Sequence, residues 1–591
     1  MVMNPSRSLL NRLFPFLDWL KDYGPSMFRR DAVAGITVAV VLVPQAMAYA
    51  MLAGLPPVYG LYAASVAPWI GALWGSLRQL ATGPIAIMSL LVLTTLTPMA
   101  EPGSEQYVEM AVLLAHLVGL LYLVVGGFRM GLIMSFISHS AVKGFTAAAS
   151  LIITATQLPH LLGLEVGRHE YILPMLLEIA KGLVSIHPQT AAIGVFSFGV
   201  IYGLKRLNPK APAGLIALAV TAAAVFFLGL HESGVVVVGE IPSGLPRPRL
   251  PMFDLEIGFS LLGPAVVIAL VSFAETYSVG KAISMETKQK VDVDQEFIGQ
   301  GMANLVGSFF QCYPVAGSFS RTAINYSAGA RTGISSVVSS VIVVTALLFL
   351  TPLLTYVPRA ALAALVISAV LLLFHPMTVL ALWKQNRYDG IVALTVFVLA
   401  LVSKPDYALL LGVMMSLIFF LWKTMHPRIV RITKDPEFNM FVNAELADKP
   451  SCPQILHLRS DNAVYFANAE YTVEHILERV NRVETPLRFL LLDFQAVGFI
   501  DLTGIDELRS LSEEVTGREI RLALMAVHRP VMEAFERSGF VNELDSDCTI
   551  DSSCLMENKG EAITRLFQGL DHDYCRDVCP YALFNECHTV K

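Results

Sequence analysis

The stretch YPVAGSFSRTAINYSAGART, residues 313–332, places an arginine at the centre of a Gly-, Ala- and Ser-rich segment bounded by apolar runs. On insertion scales an arginine near the middle of a bilayer costs about 2.5–3.5 kcal/mol. Arg321, with Ser318, Ser320 and Asn325 close by, therefore needs a partner of opposite charge. A second stretch, ATGPIAIMSLLVL (81–93), has the same build. In each, a polar strand-like piece, RQLATG (78–83) or QCYPVAG (311–317), runs into an apolar helix too short to span a membrane. The first helix is expected to begin at Gly83-Pro84, since proline is favoured in a first helical turn, and the second just after Gly317.

The surroundings are lipid. Of 591 residues, 54% are hydrophobic and only 15% charged, where soluble proteins run near 25%. The mean hydropathy is +0.59. A net charge of -6 is small for this length and excludes a nucleic-acid partner. No cleavable signal peptide is read at the start.

Apolar runs recur between Asp31 and Lys423, near 34–52, 58–75, 84–98, 108–127, 132–157, 188–204, 213–230, 262–282, 294–311, 318–328, 333–352, 357–375, 389–403 and 407–423. They predict about fourteen spans. Arg78, Arg129, the KRLNPK of 205–210, Lys281, Lys288, Lys290, Arg331, Lys384 and Arg387 bias one set of loops toward the inside. Arg168, Lys181, Arg247, Arg249, Arg359 and Lys404 run against that bias. Both termini are expected in the cytoplasm of a multi-pass protein, in a bacterial inner membrane.

Beyond Pro427 the texture changes. ILHLRS, AVYFANA, LRFLLLDF and IRLALMAV read as strands. EYTVEHILERVNRV, DLTGIDELRSLSEEV and PVMEAFERSGF read as helices, so a small α/β domain follows. The expected layout is an N-terminal segment (1–30), a membrane domain (31–426), an α/β domain (427–544) and a polar, broken, Cys-containing tail (545–591). In that tail Cys575 and Cys579, with Cys587 or His588, have a spacing permissible for zinc. They lack a second well-spaced pair, so reduced thiols are expected, with no metal or cofactor assigned.

The two short segments hold the third place in each run of seven spans. Such Gly/Pro-interrupted pieces at matching positions point to an inverted-repeat transporter with a midplane site. Each half-helix N-terminus offers free N–H groups and about half a positive charge. The eighth span adds Glu275. The first span, expected to break at Pro44, adds Gln45 and Tyr49, four apart on one face. The predicted pocket has walls from Gln45 and Tyr49, donors from Ser318, Ser320 and the backbone near Gly83, Pro84 and Gly317, charge from Arg321 and a titrating Glu275. The plainer alternative is a structural ion pair between Arg321 and Glu275. His116 and His139 are expected as packing residues.

On DAVAGITVAVVLVPQAMAYAMLAGLPPVYGLYAA, ATGPIAIMSLLV, VGEIPSGLP, FAETYSVGKAIS and GSFSRTAINYSAGART, the chain resembles the sulfate permease (SulP) family of anion transporters. Its C-terminal part resembles a STAS domain. The resemblance implies about fourteen helices in a seven-plus-seven inverted repeat, core and gate subdomains, elevator-like movement and a homodimer. It also implies an anion between the third and tenth spans, surrounded by Gln45, Tyr49, Ser320 and Arg321, with Glu275 as the coupling acid. STAS domains of anti-sigma antagonists carry a phosphorylatable serine where this chain has Leu502. That switch is therefore not carried over, while docking of a cytoplasmic protein or a dimer contact is. Asp501 and Thr503 are expected to cap a helix.

The implied function is transport, not catalysis: proton-coupled sulfate uptake. Alternatives are bicarbonate transport coupled to Na+ or H+, dicarboxylate transport, anion exchange, or an anion-gated sensor signalling through STAS. A nucleobase permease would place an acid on the tenth span, where this chain has Arg321.

Overall fold

Every helix in the membrane part follows from an apolar run, and the two that matter most are the two that fall short. The computed structural model describes residues 14–547, 555–556 and 559–590, with 22, 132–137, 168, 170, 209–210, 253, 372–373, 375, 404, 436 and 439 excepted. Most of the expected segment 1–30 and the start of the expected span at 132 lie outside the described residues. Two compact units are present, 1–417 and 418–591.

In the first unit the helices are α1 (Pro25–Leu52), α2 (Pro57–Trp74), α3 (Ala86–Leu96), α4 (Glu105–Gly127), α5 (His139–Leu162), α6 (Pro188–Leu207) and α7 (Ala213–Phe227). A second series follows: α8 (Leu255–Thr287), α9 (Val293–Phe309), α10 (Phe319–Ser327), α11 (Ile334–Thr345), α12 (Arg359–Val370), α13 (Arg387–Val402) and α14 (Pro405–Met425). Each coincides with an expected span. Among the described residues, seven helices are long and apolar enough to cross a membrane by length and composition. Among the described residues, three further short helices, Phe16–Leu20, Ile172–Gly182 and Pro376–Gln385, fall outside the expected spans.

One expectation fails here. α1 does not break at Pro44 but runs through it, with Gln45 and Tyr49 on its continuous C-terminal half. A proline removes one donor, and in a packed membrane helix neighbouring groups take up the freed carbonyl. Close packing elsewhere uses glycine. A Cβ on Gly60 of α2 would fall 1.9 Å from the Ala46 carbonyl oxygen of α1. One on Gly119 of α4 would fall 2.5 Å from the Leu305 nitrogen of α9. Small residues let membrane helices touch backbone to backbone.

The second unit is a six-stranded sheet in the order β4-β3-β5-β6-β7-β8. Its strands are β3 (Ile429–Asp435), β4 (Met440–Asn443), β5 (Ile455–Ser460), β6 (Phe489–Asp493), β7 (Arg521–Met525) and β8 (Leu555–Met556). β5 to β8 pair in parallel, while β3 and β4 close the edge antiparallel. A parallel sheet is covered on both faces, so its strands read as unbroken apolar runs. FLLLD of β6 is buried at every position. Leu490, Leu492, Leu522 and Leu524 face α15 (Ala469–Asn481), α16 (Leu502–Thr516) and α17 (Arg529–Ser538) in one core. Phe489, Leu491, Ala523 and Met525 form the other core with the tail's Ile563, Leu566, Phe567 and Phe584.

That second core corrects the reading of the tail as polar and broken. Helix α18 (Lys559–Gln568) covers the sheet. AVYFANA is also not a strand. Only Val464 makes a bridge, to Ile500, and Asn468 then closes a turn by accepting from the Tyr465 nitrogen at 3.0 Å. Asp501 caps α16 by accepting from the Gly504 nitrogen at 2.9 Å, whereas Thr503 lies inside the helix rather than capping it.

Candidate functional site

The two polar pieces before the half-helices meet as a short antiparallel pair. β1 (Thr82–Gly83) and β2 (Ala316–Gly317) pair Thr82 with Gly317 and Gly83 with Ala316. α3 and α10 leave from this pair, so both helix N-termini converge. The helix starts differ from expectation by two residues for α3 and by one for α10. α3 begins at Ala86, so Pro84 precedes the first turn instead of occupying it. α10 begins at Phe319 with Ser318 as its N-cap, the Ser318 Oγ accepting from the Arg321 nitrogen at 3.4 Å.

Extended backbone at membrane depth must find its hydrogen bonds in protein. Side chains of α9 provide many of them. Asn304 clamps the Val315 peptide on both sides, donating from Nδ2 to its oxygen (3.0 Å) and accepting from its nitrogen at Oδ1 (2.9 Å). One turn earlier, Gln300 donates to Thr82 Oγ1 at 2.9 Å. A turn before that, Glu296 accepts from the Ser76 nitrogen (2.9 Å) and hydroxyl (3.0 Å). From α8, Thr276 Oγ1 accepts from the Gly317 nitrogen at 3.0 Å. Thr322 of α10 accepts from the Ala81 nitrogen at 3.0 Å, and the Ser318 nitrogen donates to the Ala81 carbonyl at 2.9 Å.

Within this frame the guanidinium of Arg321 is buried, only 1% exposed, and neither Nε nor Nη2 has a hydrogen-bond partner. It lies on β1: a Cβ added to Gly83 would stand 3.3 Å from Nη2. Glycine is what lets the charge approach the strand this closely. Tyr49, Tyr313 and Glu275 lie within electrostatic reach of Arg321. The buried Oε2 of Glu275 has no hydrogen-bond partner. Gln45 Oε1 is buried and unpartnered as well. Ser320 is exposed, its hydroxyl 3.5 Å from that of Ser318.

The arrangement thus brings Tyr49, Glu275, Arg321, Gly83 and Gly317 into one frame, with unpartnered polar atoms on Gln45, Glu275 and Arg321. A buried guanidinium with unpartnered nitrogens is costly. Chemically the cluster offers a buried guanidinium, two helix N-termini and one ionisable acid. Sequence reasoning missed Tyr313, whose hydroxyl meets that of Ser89 at 3.2 Å, and also Thr276, Gln300 and Asn304. Polar residues every fourth position along α9 were the available signal. His116 stays in packing, with Nδ1 3.0 Å from the Ser308 hydroxyl and its ring edge-on to Phe309.

Residues 28–396 match the model of the sulfate permease family, and residues 447–553 match the STAS domain. The chain is 34% identical to sulfate transporter 4.1, chloroplastic, of Arabidopsis thaliana, over 90% of this chain and 80% of that one. It is 31% identical to high affinity sulfate transporter 2 of Stylosanthes hamata, over 91% of this chain and 85% of that one. Among solved structures, murine Solute Carrier 26 family member A9, an anion transporter, superposes with a TM-score of 0.86 at 24% identity, covering 96% of this chain and 97% of that one. The transmembrane domain of the cyanobacterial bicarbonate transporter BicA gives a TM-score of 0.57 at 21% identity, covering 67% and 98%. These two likenesses concern the fold. The sequence matches establish the lineage: this chain belongs to the sulfate permease family, membrane permeases rather than enzymes, and carries a STAS domain.

Proposed function

We propose that the protein is a secondary active transporter of inorganic oxyanions, sulfate first, that takes up its anion together with a proton by an elevator-like movement. The observation that carries this reading is Arg321, a buried guanidinium with two unpartnered nitrogens against the β1–β2 pair. Two half-helix ends at about +0.5 each and the guanidinium at +1 sum to roughly +2, the complement of a divalent oxyanion. Gln45, Tyr49, Ser318, Ser320 and Arg321 hold the anion on this reading. Glu275 carries the coupling proton and is neutral while sulfate is bound. The names of the relatives support putting sulfate before bicarbonate and dicarboxylates. The same reading has the protein work as a homodimer with both termini cytoplasmic, the membrane domain spanning 31–426 and the STAS domain (427–544) offering a docking surface.

The test is a panel of labelled anions in proteoliposomes with imposed pH and sodium gradients. Sulfate should accumulate under an inward proton gradient, without response to sodium, and Glu275→Gln should make uptake indifferent to pH. Sodium-driven bicarbonate uptake without sulfate flux would overturn the substrate and the coupling ion together. Anion binding with no flux would turn the protein into a sensor.

A further inference from the structure

Three cysteines of the tail and one from before β5 converge on one small cavity in the second unit. Cys452, just before β5, faces Cys575, Cys579 and Cys587 of the tail around a space of about 10 Å³, lined otherwise by Pro453, Gln454, Leu570, Tyr581, Leu583 and Phe584. No organic ligand fits a space that admits a single water-sized sphere. A bare ion does. The tail alone supplies three thiols in the pattern C-x3-C-x7-C, and folding α18 onto the sheet brings up the fourth.

We propose that these four thiols form a structural zinc site with four cysteine ligands. Four thiolates around a closed position are the donor set that zinc takes in structural sites, with soft sulfur ligands favouring it over magnesium or calcium. The supporting bonds are those expected around a metal thiolate. The Gln454 amide donates to the Cys575 sulfur at 3.2 Å while fixed by both sides of Asp571, donating to its oxygen at 3.0 Å and accepting from its nitrogen at 2.9 Å. Such N–H···S bonds orient a thiolate ligand and stabilise its charge. Among the described residues no three ligating side chains yet stand at coordinating separation, so the ion draws the thiols inward by rotation of their short side chains. Binding deprotonates the ligands: Zn2+ plus four thiols gives a complex of net charge −2 and releases about four protons. The site ties the tail to the strand edge more than a hundred residues earlier.

The experiment uses the full-length protein purified in detergent without chelator, and elemental analysis. About one zinc per chain is expected. Cys579→Ser and Cys452→Ser should each lower zinc by about tenfold or more, whereas Cys312→Ser, in the membrane part, should leave it unchanged. Because Cys452→Ser could misfold, wild-type protein is also titrated with a thiol reagent: the four thiols should resist it until a chelator is added. The proposal is overturned by any of four results. These are zinc-free protein with freely reactive thiols, a disulfide among these cysteines in unreduced protein, iron with acid-labile sulfide in place of zinc, or zinc retained by folded Cys452→Ser.

Discussion

Arg321→Met separates a pocket cation from a structural one. The side chain is 1% exposed, and two of its three guanidinium nitrogens have no hydrogen-bond partner. Methionine keeps most of the stem's volume and removes the charge. A buried guanidinium with unpartnered nitrogens carries a desolvation cost of about several kcal/mol, and an apolar side chain of similar size relieves it. The Glu275 carboxyl left behind can take up a proton. Without anion, therefore, Arg321→Met should melt at or above the wild-type temperature. With sulfate the difference should shift toward the wild type. A ligand at a hundred times its dissociation constant adds about 2.7 kcal/mol to the protein that binds it, and the variant should gain nothing. The assay is thermal unfolding in detergent across a sulfate titration, with chloride at matched ionic strength as control and vesicle uptake alongside. A variant that melts well below wild type in the absence of anion would refute the reasoning, because Arg321 would then be holding the fold together.

Asn304→Leu leaves the Val315 N–H and C=O unpaired at about 1–3 kcal/mol each, so thermal stability should fall by about 2–6 kcal/mol. Asn304→Asp, which can still accept from the Val315 nitrogen, should lose less. Gly83→Ala puts a Cβ 3.3 Å from Arg321 Nη2 at a residue with φ +154, which should shift the guanidinium by tenths of an ångström. Sulfate binding, read by the same thermal titration, should weaken by about tenfold while the wild-type chloride response is retained. In the STAS domain, the hydrogen bond from Arg479 holds the Glu445 carboxyl below its ordinary range. A depressed carboxylate stabilises the fold above the unfolded pKa and loses that contribution as pH falls through the lowered value. Glu445→Gln should therefore flatten the acid limb of unfolding below about pH 4.5, by no more than about 1 kcal/mol for so exposed a pair. Its stability relative to wild type should converge at still lower pH.

What could be read from the sequence followed from how strongly local physics speaks. An apolar run of about twenty residues has few alternatives, and the two short Gly/Pro-interrupted runs stood out against that background. The pocket's charged members were legible because a charge in lipid is conspicuous. Its supports were not. Asn304, Gln300 and Thr276 bond backbone or frame side chains rather than facing the recess, and only the four-residue spacing of Glu296, Gln300, Asn304 and Ser308 along α9 marks them. Pro44 misled because its local penalty is real but small enough for a packed helix to absorb. The tail misled through its average polarity. Ala562, Leu566 and Leu570, with Ile563 and Phe567, carry a helical period that buries a stripe against the sheet.

The geometry also constrains how charge would move if Glu275 is the coupling acid. Glu275 and Thr276 are adjacent on α8, and Thr276 is bonded to Gly317 just before α10, which carries Arg321. If this tie persists through the cycle, the acid stays near the guanidinium and their charges change by proton transfer rather than by separation. In the empty pocket, Arg321 at +1 and ionised Glu275 at −1 cancel, leaving only the half-helix ends at about +1 in total. With sulfate bound and Glu275 protonated, the sum is +1 for arginine, about +1 for the helix ends and −2 for sulfate, close to zero. A second proton has no comparable acceptor among the residues placed in the pocket. One proton per sulfate then moves a net charge of −1, so uptake should be electrogenic. Proteoliposomes held inside-positive with a potassium gradient and ionophore should take up sulfate faster than clamped ones, and inside-negative ones more slowly. Equal rates at all three potentials would mean two protons per sulfate, and a second acid would have to be found.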